Sequence, residues 1–423
     1  MNFISELRWR SMLHDMTPGV EEYLNENKVV GYIGFDPTAP SLTIGNFVQI
    51  QLLKLFQLSG HTPIVLMGGA TGRIGDPSGK DKERELKSED ELDQNLEFQL
   101  LQVKKFLDFD GPNAAIIVNN LDFYKNMNVL DFLRDVGKNL TVNYMMSKDS
   151  VKNRLETGLS YTEFSYQLLQ AYDYLCLYNK HNCRLQMGGS DQWGNITSGT
   201  EFIRRNVEGK AFAVTTPLLT KSDGKKFGKS EKGNIWLDPS KTSPYAFYQF
   251  WKKVENSDIE KFFKYFTLKS QKEVEEIFTQ NGENYQELTQ ILAEELTVRV
   301  HSEESLIKVK NASELLFGKT YNTPEALHTI DEESFVMIKE DAQGFEMNSN
   351  FISNTNIIDF LTEKTSIISS KSEARKAIQN NAININKEKV TDINYMIDLS
   401  KLIHNRFFLL ENGKKNKYLI EVV

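Results

Sequence analysis

Four stretches of the chain combine glycines with polar or charged side chains at spacings that suit a nucleotide or another small polar ligand. The first is the turn from Asp36 to Asn46, which follows the strand-like run Val29–Phe35 and carries Thr38, Ser41, Thr43, Gly45 and Asn46. In open α/β sheets, ligands sit beyond the carboxyl ends of strands, and the N-terminus of the next helix favours phosphate. A Pro-stiffened turn with N-capping hydroxyls uses the same residues, and alone they leave both readings open. The second stretch is glycine-rich, Gly68 to Lys80, and has a lysine-rich counterpart, Gly224-Lys225-Lys226-Phe227-Gly228-Lys229-Ser230. Both miss the spacing of a phosphate-binding P-loop: three residues separate Gly75 from Gly79, Asp81 stands where Ser or Thr is needed, and the later loop is one residue short. Neither supports a P-loop NTPase. A Gly-hinged loop with three lysines still has the charge to cover a triphosphate, or it is a solvated basic loop.

The third stretch lies in a helical run. Tyr166, Gln170 and Asp173 fall at i, i+4 and i+7, one stripe of one helix face, among apolar Phe164, Leu168, Leu169, Leu175 and Leu177. Such a stripe is either the water-facing side or the lining of a pocket. The fourth, Leu185 to Asn195, runs from a strand into Gly188-Gly189 and then Asp191, Gln192 and Asn195. An acid and amides at a strand end suit a ribose or a substrate carboxylate, with a plain Gly turn as the alternative.

The elements that must position these residues alternate. Val29–Phe35 reads as a buried strand, Ile44–Leu58 as a buried helix closed by Gly60, and Thr62–Met67 as the next strand. Strand, helix and strand within about 40 residues make a βαβ unit and hence a parallel sheet. Further strands are expected at Ala114–Val118, Arg184–Met187 and Ala211–Thr215, and Ser88-Glu89-Asp90-Glu91 opens a helix to about Leu107. The first half is therefore a doubly wound α/β domain, 1–243. Helical runs at Ala246–Glu255, Asp258–Phe266, Lys272–Thr279 and Tyr285–His301 predict a helical domain over 244–320. Residues 321–350, polar and poorly periodic, suit a linker, and 351–423 a small α+β domain.

With 40% hydrophobic and 26% charged residues, the 423-residue chain has the composition of a globular protein of two or three domains. No apolar run is long enough to span a bilayer, and Met1 to Glu21, with Arg8, Arg10, His14 and Asp15, does not read as a signal peptide. Two cysteines, Cys176 and Cys183, exclude a disulfide scaffold and suit reduced thiols in the cytoplasm. The net charge of −8 argues against general coating of nucleic acid, and no DNA or membrane partner is expected. The charge is uneven, however: residues 351–423 hold 11 Lys and Arg against 8 Asp and Glu. An RNA contact is expected there, with Lys371, Arg375 and Lys376 on roughly one helix face.

Taken in order, Tyr32–Asn46, Gly68–Arg84, Tyr161–Asp173, Gln186–Asn195 and Lys226–Ser230 closely resemble the bacterial tyrosyl-tRNA synthetases, a class I family, over nearly the whole chain. Thr43 and Asn46 stand where that family's His-Ile-Gly-His signature has its histidines, and Phe227 and Gly228 replace Met and Ser of Lys-Met-Ser-Lys-Ser. The resemblance implies a Rossmann-like catalytic domain, ATP and Mg²⁺, tyrosine and tRNA as substrates, and a homodimer. It makes the helix stripe a pocket wall: Asp173 accepts a hydrogen bond from the substrate phenol and Tyr32 donates one to it. Asp76, Tyr166 and Gln170 then meet the ammonium and Gln192 the carboxylate. Gly34, Asp36, Gly45, Gly189, Asp191 and Lys229 fall on the ATP side. Charge on the leaving pyrophosphate is assigned to Thr38, Thr43, Asn46, Lys80, Arg84, Lys226 and Lys229. The stretch Ile367–Ile378, continued by Asn381–Val390, resembles an RNA-binding module first known from a small-subunit ribosomal protein. The nearest rival is a tryptophan-specific synthetase, which the Tyr32 and Asp173 pair disfavours because it suits a phenol rather than an indole N–H.

Overall fold

The structure is a computed structural model. It describes all residues except 79–85, 156–157, 223, 225–226, 231–232, 319, 340–343 and 414–415, and the side chains of 150, 153, 155, 229, 230 and 317 are likewise not described. The described chain divides into two units, Met1–Lys241 with Val254–Leu292, and Thr242–Lys253 with Ala293–Val423.

The first unit is built on six strands: β1 (Asp15–Met16), β2 (Val30–Phe35), β3 (Thr62–Met67), β4 (Ile116–Asn119), β5 (Cys183–Gly189) and β6 (Phe212–Thr216). Their order is β1-β6-β5-β2-β3-β4, all parallel except the β1 edge. The chain moves outward from β2 through β3 to β4, then returns to lay β5 on the other side of β2. The strand order reverses between β2 and β5, and sheets of this kind bind ligands beyond the carboxyl ends of the strands at that point.

Helices cover both faces: α1 (Phe3–Trp9), α2 (Ile44–Leu58), α3 (Glu89–Val103), α4 (Leu121–Tyr124), α5 (Tyr161–His181), α6 (Trp193–Val207) and α7 (Ile259–Phe266). Successive residues of β2 choose the faces. At Gly31 an added Cβ would lie 2.9 Å from the Phe56 ring of α2, so glycine lets that helix sit close to the sheet. The next residue, Tyr32, points the other way and packs edge-on against Tyr174 of α5 at 5.2 Å. Gly60, with φ +89°, turns the chain after α2.

Arg10, 1% exposed, follows α1 and donates to the carbonyls of Lys264, Thr267 (2.9 Å) and Lys269 (2.7 Å) at the end of α7. These are the carbonyls a helix leaves without partners. The sequence-based division at 243 therefore differs from the packing: 254–292 joins the first unit, because helical periodicity reveals an apolar face but not the body that receives it.

In the second unit, α8 (Glu303–Phe317) and α9 (Lys371–Gln379) accompany a five-stranded sheet: β7 (Phe345–Met347), β8 (Ile383–Ile385), β9 (Glu388–Lys389), β10 (Phe407–Asn412) and β11 (Asn416–Val422), ordered β9-β8-β10-β11-β7. Its core joins Ala374 and Ile378 of α9 to Ile383, Phe408, Leu410 and Ile420 of the sheet. β7 lies in the stretch read as a linker. It pairs parallel to β11 through Ile420, Glu421 and Val422, a three-residue strand too short to show a period in sequence.

Candidate active site

The helix stripe faces inward. Tyr166 is 6% and Asp173 1% exposed, and Asp173 lies over the β2–β5 side of the sheet with Tyr32, itself 1% exposed. The Tyr32 hydroxyl and Gln170 Oε1 are buried with no hydrogen-bond partner. An orphaned buried polar atom costs about 1–3 kcal/mol, so each is a place where a polar group of a ligand would find a partner. Burial pushes the Tyr32 and Tyr166 phenols well above their usual range, which leaves both as neutral O–H donors.

Asp173 is held by two residues that sequence reasoning missed. Asn120 Nδ2 donates to its Oδ2 at 2.8 Å and the Tyr124 hydroxyl to its Oδ1 at 2.7 Å. Burial raises the Asp173 carboxyl to about 7, with the Asp36 charge adding to the rise and the Asn120 and Tyr124 hydrogen bonds opposing it. Asn120 also donates to the Thr71 hydroxyl (3.0 Å), Thr71 donates to Asp36 Oδ1 (2.6 Å), and the Tyr166 hydroxyl donates to Asp36 Oδ2 (2.8 Å). One hydrogen-bonded chain thus runs from Tyr124 through Asp173, Asn120, Thr71 and Asp36 to Tyr166. The available signal was Asn119-Asn120 at the carboxyl end of an expected parallel strand, the position from which such sheets offer ligand contacts.

Asp76 and Gln192, predicted for different ends of the substrate, are joined: Gln192 Nε2 donates to Asp76 Oδ2 at 2.6 Å. Asn195 Nδ2 reaches Asp76 Oδ1 at 3.4 Å, and Ser78 N–H donates to the same oxygen at 2.9 Å. Two glycines exist to make room for acids. A Cβ at Gly68 would fall 2.1 Å from Asp36 Oδ1, and one at Gly189 2.6 Å from Asp191 Oδ1.

Of the residues expected on the nucleotide side, Thr43 and Asn46 form the N-cap of α2, where Asn46 Oδ1 accepts from both the Thr43 N–H (2.9 Å) and its hydroxyl (2.8 Å). The capping alternative is therefore realised in the same residues. Gly34 and Gly45 are exposed, and no atom lies within 4 Å of a Cβ placed at Gly34. Thr38 is half-buried, its N–H bonded to the Asp36 carbonyl at 2.8 Å. Lys80, Arg84 and Lys226 lie outside the described residues; Lys229 is described only in its backbone, paired with Asn234 in a short hairpin.

The two residues between those lysines are well placed. Phe227, 5% exposed, packs on Phe262 (4.6 Å) and Phe266 (5.5 Å) of α7. Gly228 has φ +87°, and a Cβ there would meet Ile44 Cγ2 at 2.8 Å. The Gly228 carbonyl accepts from Ile235 N–H, and the Ile235 carbonyl accepts from Ile44 N–H at the start of α2. Gly228 and Ile235 are thereby seated at the start of α2, and the N-terminus of a helix favours phosphate.

In the second unit, α9 exposes Arg375 and Lys376, whereas Lys371 is paired with Asp359 and Glu363, each at 2.7 Å. The three cations predicted as one basic face are thus unequal, because acids outside the helix neutralise the first. Cys176 and Cys183 are buried free thiols. Among the described residues no helix is long and apolar enough to cross a membrane.

Residues 24–318 match the family model of class I tRNA synthetases (W and Y), and 338–420 that of the tyrosine–tRNA ligase SYY-like C-terminal domain. The chain belongs to the bacterial tyrosyl-tRNA synthetases. It is 52% identical over 431 residues to a tyrosine–tRNA ligase of Porphyromonas gingivalis, covering 100% of both chains. It is also 52% identical over 425 residues to that of Cytophaga hutchinsonii, covering 99% of each. Among solved structures, a C-terminally truncated mitochondrial tyrosyl-tRNA synthetase of Aspergillus nidulans superposes with a TM-score of 0.66 at 30% identity, over 75% of this chain and 94% of that one.

Proposed function

We infer that the chain activates L-tyrosine with ATP and transfers the tyrosyl group to the 3′-terminal ribose of its tRNA. The observation that carries the substrate choice is the orphaned, buried Tyr32 hydroxyl in the pocket of Asp173. A para-hydroxyl donates to Asp173 and accepts from Tyr32, which satisfies both. Phenylalanine leaves both unpaired; discrimination of this kind is general to tyrosyl-tRNA synthetases and is not new here. The substrate ammonium sits by Gln170 Oε1 and the Asp36, Asp76 and Tyr166 group, and the carboxylate points past Gln192.

The carboxylate oxygen attacks the α-phosphorus of ATP, and the bond to the bridging oxygen of pyrophosphate breaks. An ionised carboxylate needs no general base, so the protein's work is positioning and charge stabilisation. We assign these to Thr38, Thr43, Asn46, Gly45 and the α2 N-terminus, with Lys80, Arg84, Lys226 and Lys229. Gly34 and Asp36 border the nucleotide, and Gly189 and Asp191 its ribose. Mg²⁺, if bound with ATP, would supply positive charge at the phosphates.

Residues 338–423 take the tRNA, with Arg375 and Lys376 of α9 on its backbone and Lys371 contributing less. A cytoplasmic homodimer completes the reading. Its support is the exposed apolar group Val129, Leu130, Leu133 and Val142 on the short helical segments after β4, a surface that suits a second copy.

Tyrosine-dependent exchange of labelled pyrophosphate into ATP tests the first step. Exchange stimulated by tryptophan instead overturns the choice of substrate. Deleting 338–423 is expected to leave exchange within about threefold of the full chain while tRNA charging falls at least about a hundredfold, the expected share of a dedicated RNA-binding surface. Equal loss of both activities contradicts that division of labour.

A further inference from the structure

The Tyr124 hydroxyl has two acceptors and one proton. It lies 2.7 Å from Asp173 Oδ1 and 3.0 Å from the carbonyl oxygen of Leu169, one turn earlier on α5. A backbone carbonyl only accepts, so the single O–H serves one of them at a time. If Asp173 is ionised, the proton lies toward Oδ1, the shorter and charge-assisted bond. If Asp173 carries a proton on Oδ1, that proton is donated to the Tyr124 oxygen, and the Tyr124 O–H turns to Leu169. Every group is paired in both arrangements, because the Leu169 carbonyl also takes the helical bond from the Asp173 N–H within Tyr161–His181.

We propose that Tyr124 is a positioning residue that ties capture of tyrosine to the ionisation of Asp173, by turning its hydroxyl from the Leu169 carbonyl to Asp173 Oδ1 when that carboxyl loses its proton to solvent. The proposal rests on Asp173 meeting the substrate phenol. The ionised form presents Oδ2, shared only with Asn120, as a charged acceptor; the protonated form presents a weaker, neutral one. The groups facing Asp173 are Tyr32 of β2, Asp36 of the following turn, Tyr124 of α4, and Tyr166, Tyr172 and Cys176 of its own helix. Of these, Tyr124 and Asn120 favour the ionised form by donating to it, and Asp36 opposes it. Burial brings the carboxyl to about 7, so the change falls in an accessible pH range. In sequence nothing distinguishes Tyr124 from a core aromatic.

The test is the dissociation constant for L-tyrosine from pH 5.5 to 8.5, by equilibrium dialysis on the full-length protein and on Tyr124→Phe. In the wild type, binding is expected to tighten about fivefold to tenfold through a single midpoint near neutrality, the difference between a neutral and a charge-assisted hydrogen bond. Tyr124→Phe removes a donor that favours the charged form, so its midpoint moves about one pH unit higher. Binding at pH 7 weakens accordingly and recovers toward pH 8.5, while the KM for ATP stays within about twofold of wild type, since ATP does not meet Asp173. A wild-type profile flat over this range, or an unchanged midpoint in Tyr124→Phe, overturns the proposal. Parallel losses for tyrosine and ATP with no movement of the midpoint show a merely structural tyrosine and overturn it too. The wild-type profile decides even if the variant folds poorly, and absence of tyrosine-dependent exchange in the wild type is the separate failure of the functional reading.

Discussion

Around Tyr32 and Asp173, which we propose meet tyrosine, the polar atoms are buried and partly without partners, whereas around Thr43 and Asn46, which we propose meet the nucleotide, they lie nearer the surface and satisfy one another. Tyr32 and Gln170 keep an oxygen unpaired in a desolvated pocket, and Asp173 is held there with a raised pKa. Thr43 and Asn46 close on each other as a helix cap, and Gly34 and Gly45 stand open. The contrast teaches how one site meets two kinds of ligand. A small amino acid must be told from near-isosteres, which takes groups that suffer when the wrong ligand leaves them unpaired. A triphosphate carries so much charge that backbone N–H groups, a helix N-terminus and lysines suffice.

Three substitutions sharpen or break this contrast. Asp173→Ala should act most strongly, lowering kcat/KM for tyrosine by about a thousandfold or more in pyrophosphate exchange, because the substrate hydroxyl loses its charged acceptor. The KM for ATP should change by less than about threefold, and equal damage to both would erase the distinction. Gly228→Ala comes next. Its Cβ would fall on Ile44 at 2.8 Å in a left-handed conformation costing about 1–2 kcal/mol, so the lysine loop lifts from the α2 N-terminus. We expect about a thirtyfold fall in kcat for exchange with tyrosine binding unchanged; weakened tyrosine binding would mean that the two ends are not separable. Asn46→Ala should be mildest, removing a cap worth about 1 kcal/mol. It should lower Tm by a few degrees and reduce exchange by about tenfold, and an effect as large as that of Asp173→Ala would show the nucleotide end to be no more tolerant.

The same contrast explains what the sequence could reveal. β2, β3, β5 and α2 were legible because buried strands and a buried helix write long apolar runs bounded by Pro and Gly. That Tyr166 and Asp173 turn inward was legible only through the family resemblance, because the helix stripe by itself suits water as well as a pocket. Asn120, Tyr124 and Thr71 were not legible. They act on Asp173 and Asp36 from separate segments, and only the closed sheet brings them within 3 Å. The pairing of Asp76 with Gln192 spans 116 residues and was hidden for the same reason. β7 escaped because three residues show no period, and α7 was recognised as a helix without a sign that it packs with Met1–Lys241. The reason Phe and Gly stand between Lys226 and Lys229 also appears only in three dimensions, in the aromatic surface of α7 and the closeness of Ile44.

Arg10 gives the beginning of the chain a stake in the far end of the site. Its guanidinium clasps the last turn of α7, and the other side of that helix is the bed on which Phe227 lies. Loss of the Arg10 clasp is therefore expected to loosen the helix on which Phe227 packs, while Asp173, held by Asn120 and Tyr124, keeps its place.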